Sequence, residues 1–316
     1  MARKPIIGIV GKPQCDDIIW NKICISNEIK DALNKNGAIA IGIIPQSKIK
    51  ERIEGKPFSY QNYYLNEESL NDLYQTIVMC DGIILEGGIT ICDYEQEIVK
   101  YCIKNNIPLL GICCGAINMC LATGGSISFD DYDYLKKNHF SLDNMEMHKV
   151  NINNDSKLFT LINKNNFIVN SIHKCKIDNP GEYSAKGYSD DNIIELIELD
   201  DTGFNVGVQW HPEFITNKLE QNLIFKKFID CGQCFLIERI RQIFAEDFGH
   251  KHFAQRNREL IDQTADAEVV VWYHVFVCVE NFSYFECHLR LFVRTRYTLD
   301  LVDRISVGNA HLGHGL

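Results

Sequence analysis

Residues 1–231 predict an α/β fold with a mostly parallel central sheet covered by helices on both faces. Three observations carry this. Short continuous apolar runs alternate with helix-period segments up to about residue 113. Glycines stand where those runs end, as strand-to-helix turns require. Four further strand-like runs between 148 and 210 follow one another too closely for a helix between every pair, so that part of the sheet is expected to be antiparallel.

The elements follow in order. "PIIGIVG" reads as the first strand, and residues 23–36, "ICISNEIKDALNKN", have helical apolar spacing. "GAIAIGIIP" is a second strand, 67–80 a helix, "DGIILEGG" a third strand, "YEQEIVKYCIKNN" a helix and "IPLLGIC" a fourth strand. The later runs are "HKVNIN", "FIVNSIH", "NIIELIEL" and "FNVGVQW". There is no internal repeat and no low-complexity tract.

Composition narrows the function classes. The 316 residues are 46% hydrophobic and 23% charged, with net charge −10. That charge disfavours nucleic-acid and anionic-membrane surfaces as partners. No apolar run approaches the ~20 residues of a membrane span. The positive tip of "MARKPIIGIVGKP" is followed by too short an apolar stretch for an export signal. Thirteen cysteines, an odd count at scattered spacing, predict reduced thiols and a cytoplasmic protein.

The chain changes character near residue 231. Up to Asp230 it holds two arginines, Arg3 and Arg52; after Lys227 the only lysine is Lys251, while Arg239, Arg241, Arg256, Arg258, Arg290, Arg294, Arg296 and Arg304 appear. Residues 232–316 are therefore set apart as a segment of different origin, either a fused domain or a translated frame without function. It begins with a helix-like stretch, "CFLIERIRQIFAEDF", and continues with strand-like "EVVVWYHVFVCVE" and "CHLRLFVRTRYTLDLV"; "GNAHLGHGL" reads as a frayed end. Cys231-Gly-Gln-Cys234 with His250 and His252 lacks the spacing of a zinc finger.

The chemistry centres on "LGICCGA", residues 110–116. In an open α/β sheet, ligands sit beyond the carboxyl ends of the strands. Gly111 and Gly115 allow a tight turn that pushes Cys113 outward, and the following helix aims its N-terminal N–H groups at the same point. Cys113 is a candidate nucleophile and the Cys114 N–H a candidate oxyanion donor. A small buried thiol is the competing reading until a base is found. "GVQWHPEF" supplies one: in an extended stretch His211 and Glu213 face the same side, as base and orienter. "LEGG" offers the N–H of Gly87 or Gly88 as a second oxyanion donor.

Taken in this order, "LEGG", "GICCGAINMCLATGGSI" and "GVQWHPEF" resemble the class I glutamine amidotransferase-like family, and most closely its γ-glutamyl hydrolase branch (peptidase C26), which includes γ-glutamyl-γ-aminobutyrate hydrolases. The resemblance spans residues 5–230 and implies a flavodoxin-like three-layer α/β/α fold. It implies Cys113 as nucleophile, His211 as general base then acid, Glu213 as orienter and an oxyanion hole at Gly88 and Cys114. Asn170, Ser171 and His173 match the branch's "VNS-x-H" strand and, with Gly87, are candidate substrate contacts. The implied reaction is hydrolysis of a γ-glutamyl amide of a small molecule, with no cofactor and no metal. The other readings are a glutaminase component serving a separate synthetase partner and a non-catalytic binding protein that keeps the fold; a homodimer is compatible with each. Ile117 stands where the family often has Gln, Cys114 where the branch has Arg, and the loop "GGITICDYE" is short. These departures bear on substrate preference. Asp93 and Glu95 in that loop are expected to be a solvated helix N-terminus.

Overall fold

The computed structural model describes residues 3–14, 22–45, 48–52, 61–200, 203–247, 268–275, 287–294 and 299–306. Its main sheet has nine strands: β1 (Ile6–Val10), β2 (Ile39–Ile43), β3 (Gly82–Leu85), β4 (Leu109–Ile112), β5 (His148–Ile152), β6 (Asn166–Val169), β7 (Ser184–Ser189), β8 (Ile194–Glu198) and β9 (Asn205–Val208). Their spatial order is β6-β5-β7-β8-β9-β4-β3-β1-β2. β2, β1, β3, β4 and β9 run parallel, and β9-β8-β7-β5-β6 pair antiparallel. The antiparallel part of the sheet is thus built mainly from the closely spaced later strands, as the run spacing predicts.

β3 and β4 are buried at every position, so they carry only apolar side chains and glycine on both faces. Two cores result. On one face Ile7, Ile9, Ile84, Leu110 and Val206 pack with α1 (Asn27–Lys35), α6 (Lys157–Ile162) and the first turns of α7 (Leu219–Asp247). On the other face Val10, Ile83, Leu85 and Leu109 pack with α2 (Glu67–Ile77), α3 (Asp93–Lys104) and α4 (Cys114–Ala122). That is the three-layer arrangement.

Local chemistry sets the helix ends. α1 starts four residues later than its apolar spacing suggests, because Lys22–Cys24 pairs with Lys12–Gln14 as a short ribbon and the Ser26 side chain caps the helix by accepting from Ile29 N. α6 is capped by Ser156, whose hydroxyl donates to Glu198 at 2.7 Å while Glu198 accepts the Lys157 N–H at 2.8 Å.

By Cα proximity the chain divides into Lys4–Arg239 and a second unit of Met1–Arg3 with Ile240–Leu316. The expected junction at 231/232 lies inside α7, which runs unbroken through it. Leu236 is buried, Phe235 packs against the second core and Arg239 donates to the Cys80 carbonyl at 3.3 Å. Cys231-Gly-Gln-Cys234 therefore sits on a helix, both thiols free; His250 and His252 lie outside the described residues, as does "GNAHLGHGL". In the second unit, β10 (Glu268–Val275), β11 (Cys287–Arg294) and β12 (Leu299–Ser306) form an antiparallel sheet in that order. The two expected strand runs become three.

Candidate active site

Cys113, Gly87, Gly88 and His211 all follow the carboxyl ends of parallel strands, on one edge of the sheet. Cys113 is the residue between β4 and α4. It has φ 50° and ψ −106°, a backbone that a non-glycine residue adopts only at a cost of about 1–3 kcal/mol. Its N–H is held by the Val208 carbonyl at 2.7 Å, and its carbonyl accepts from Ile117 N at 3.1 Å. The turn closes because Gly115 has no side chain: a Cβ there would lie 2.1 Å from the Leu85 carbonyl oxygen.

The imidazole of His211 lies between its two partners. Nδ1 is 2.7 Å from Glu213 Oε1, and the ring is near enough to the Cys113 sulfur for its charge to be felt. The expected extended stretch does not make this contact. β9 ends at Val208, and Pro212–Ile215 form a single 3₁₀ turn with His211 at its start. The turn folds Glu213 back under the ring, so a tight helix does what alternation along a strand was expected to do. Burial disfavours the imidazolium, but the Glu213 carboxylate and the Cys113 sulfur outweigh it and push His211 up to about 10. Gly87 completes the enclosure: a Cβ there would lie 2.5 Å from His211 Cε1. Gly88, at φ 155°, packs on the stem of Lys12, whose Cδ would lie 2.7 Å from a Cβ.

Asn170, Ser171 and His173 are buried, and their polar groups are taken up within the protein. Asn170 Nδ2 donates to the His211 carbonyl at 2.8 Å and Oδ1 accepts the His211 N–H at 2.9 Å. Asn170 thus clamps the backbone of His211. Ser171 Oγ donates to the His139 carbonyl at 2.8 Å, and His173 turns toward Glu195, 3.3 Å away. The Cys114 thiol donates to the Thr90 carbonyl at 3.1 Å, and burial pushes it up to about 11. Ile117 forms an apolar patch with Ile91, Cys114 and Cys175.

Several residues near the site escaped the sequence reading. Glu95 is 0% exposed and forms an ion pair with Lys12 at 2.9 Å, which corrects its expected place at a solvated helix end. Asn118 donates to the same Glu95 oxygen, and Lys12 also donates to the Thr90 carbonyl at 3.3 Å. Asp93 is exposed, as expected. Gln209 Nε2 lies 4.0 Å from Cys113 Sγ. Lys12 follows the first strand directly, the one sequence sign that it reaches the ligand edge. A surface cavity of about 520 Å³, lined by Tyr134, Lys176 and Asp191 among others, does not include Cys113.

Known proteins share this arrangement of segments. Over 180 residues the chain is 34% identical to "Putative glutamine amidotransferase PB2B2.05" of Schizosaccharomyces pombe, covering 48% of this chain and 69% of that protein. The chain belongs to the glutamine amidotransferase-like family. Residues 93–213, which include Cys113, His211 and Glu213, match the Peptidase C26 family. This amidotransferase-like chain is also 27% identical over 163 residues to the gamma-glutamyl-gamma-aminobutyrate hydrolase of Shigella flexneri, covering 46% of the chain and 62% of the relative. It is 27% identical over 183 residues to the CTP synthase of Methanosphaera stadtmanae, covering 48% of the chain but only 34% of that enzyme. A solved structure from Thermoplasma acidophilum, a "putative gmp synthase subunit a protein", superposes with TM-score 0.51 at 16% identity, over 77% of this chain and all of the other. That likeness shows the class I glutamine amidotransferase-like fold. No described helix is long and apolar enough to cross a membrane.

Proposed function

We propose that the chain hydrolyses a γ-glutamyl amide of a small molecule. The observation that carries this reading is His211, hydrogen-bonded to Glu213 Oε1 at 2.7 Å, on the same sheet edge as the strained turn residue Cys113. His211 takes the proton of the Cys113 thiol as the sulfur attacks the side-chain carbonyl carbon, forming a C–S bond and a tetrahedral oxyanion facing the N–H groups of Gly88 and Cys114. The C–N bond breaks as His211 gives its proton to the departing amine. His211 then takes a proton from water, which attacks the γ-glutamyl thioester; the C–S bond breaks and the thiol is restored. Glu213 keeps Nδ1 protonated, so the other ring nitrogen faces the sulfur. No step calls for a metal or cofactor. The hydrolase reading is supported by the likeness to a gamma-glutamyl-gamma-aminobutyrate hydrolase. The likeness to CTP synthase favours a second reading, a glutaminase delivering ammonia to a separate synthetase.

A panel of γ-glutamyl amines and free glutamine, assayed with the chain alone, distinguishes them. The first reading expects amine release from a γ-glutamyl amine without any partner. Ammonia from glutamine alone, and only when a synthetase is added, supports the second.

The pH profile tests the role of His211. Its pKa lies above the ordinary 6.5, so the proton it delivers is present through neutrality and lost as pH rises through about 10. The alkaline limb of kcat/KM should fall there. Glu213→Gln removes the main favourable charge and leaves burial, so the limb should move down toward 6.5. The stability contributed by the charged ring has the same sign: full below 6.5 and lost as pH rises through about 10. A limb unmoved in Glu213→Gln removes His211 from the acid role.

A further inference from the structure

Four segments between residues 139 and 195 bring His139, His148, His173 and Glu195 together, with one ligand-type atom of each within 4.8 Å of the others. His139 follows α5 (Tyr132–Asn138), His148 opens β5, His173 follows β6 and Glu195 lies in β8. All are buried except His148, which is partly so. Glu195 Oε1 is 3.3 Å from His139 Nδ1, 3.4 Å from His148 Nε2 and 3.3 Å from His173 Nε2. A tetrahedral ion with ligand bonds of 2.0–2.1 Å separates its ligand atoms by about 3.4 Å. The three edges that meet at Glu195 already have that length.

The outer nitrogens show why a cation belongs there. His173 Nδ1 faces the Cys175 carbonyl at 3.0 Å, and His148 Nδ1 faces the Lys149 carbonyl at 3.3 Å. A carbonyl only accepts, so each of those nitrogens carries the hydrogen. His139 Nε2 lies 2.9 Å from Asp191 Oδ2, which likewise accepts. A neutral imidazole with its hydrogen on the outer nitrogen presents a lone pair on the inner one. Three lone pairs then converge on a carboxylate oxygen. Among the described residues, His139 Nδ1, His148 Nε2 and Glu195 Oε2 have no hydrogen-bond partner, although each atom is buried. A carbonyl or carboxylate partner for each outer nitrogen is the outer shell that fixes a metal-bound histidine.

We propose that His139, His148, His173 and Glu195 bind one zinc-type divalent transition metal in a closed tetrahedral site. Four protein ligands and near-complete burial make the site structural, with no open position for a reacting water. It ties together strands that carry the catalytic arm. Gln209, whose amide reaches Cys113, donates its N–H to the Glu195 carbonyl at 2.8 Å, and Asn170, three residues before His173, clamps His211.

The test is a cobalt(II) titration of the full chain after chelator treatment, with zinc as competitor. The expected result is one equivalent bound per chain, with visible bands of tetrahedral intensity, no thiolate-to-cobalt charge-transfer band, and displacement by zinc. Glu195→Gln and His148→Ala should lose at least tenfold in affinity, and Asp191→Asn, which alters only the outer shell, about tenfold. Circular dichroism checks that each variant folds, and the wild-type titration does not depend on them. Absence of stoichiometric cobalt binding, a thiolate band, or folded variants that bind as wild type would each overturn the site, leaving a knot of charged histidines around Glu195 or metal held by cysteines.

Discussion

Cys113→Ala should lower kcat on any γ-glutamyl amide the chain accepts by about a million-fold, the scale of losing the nucleophile in an acyl-transfer enzyme. It should also abolish labelling by an iodoacetamide-type reagent under conditions where the wild type reacts at one thiol. Cys114 is a built-in control. It is the next residue in the chain, but its thiol is buried, bonded to the Thr90 carbonyl and pushed up to about 11. Stability should separate chemistry from structure at the same position. Alanine must adopt the same φ of 50° and ψ of −106°, so its unfolding midpoint should stay near wild type. Cys113→Gly is equally inactive but relieves the strain and should be more stable by up to about 1–3 kcal/mol. Residual activity within a hundredfold of wild type in Cys113→Ala would remove this residue from the reaction.

Glu95→Gln should destabilise the fold by about 3–5 kcal/mol, because it leaves the Lys12 ammonium buried without its counter-charge. Burial pushes the Glu95 carboxyl up from its ordinary range, and Lys12 at 2.9 Å opposes that. The pair adjoins the two candidate oxyanion donors: the Lys12 stem packs on Gly88, and its ammonium binds the Thr90 carbonyl that Cys114 also binds. The loss should therefore reach catalysis as well, through the placing of the Gly88 N–H. Replacing both charges, Lys12→Met with Glu95→Leu, should recover much of the stability, since no ion then remains to be desolvated. Denaturant midpoints of the wild type, Lys12→Met, Glu95→Leu and the double variant measure this as a cycle. A cost under about 1 kcal/mol in Glu95→Gln would mean that water reaches the pair, as it does at surface ion pairs.

Legibility in the sequence followed the range of the interaction. The parallel strands and their helices were readable because a strand buried on both faces must be continuously apolar, as Gly82–Leu85 and Leu109–Ile112 are. The sharp turn at Cys113 was readable because Gly111 and Gly115 flank it and only small residues allow it. The contact between His211 and Glu213 was expected, but its geometry was not: an extended stretch and a 3₁₀ turn both bring residues two apart together, and the fixed φ of Pro212 fits either. Glu95 was misread because an acidic residue in the first turn of a helix is usually solvated. Its partner is eighty-three positions away in sequence, and no local pattern announces it.

By itself the sequence determined the layer architecture, the chemical identity of the candidate triad and the order in which strands deliver it, because burial and turn sterics act over a few residues. Only the tertiary structure decided which side chains share a space. It set Asn170 as a clamp on His211, paired Lys12 with Glu95, and gathered three histidines from three segments around Glu195. Such contacts depend on the order of strands in the sheet, β9 beside β4 and β8 beside β9, a global result of packing that leaves no mark in the spacing of the residues it joins.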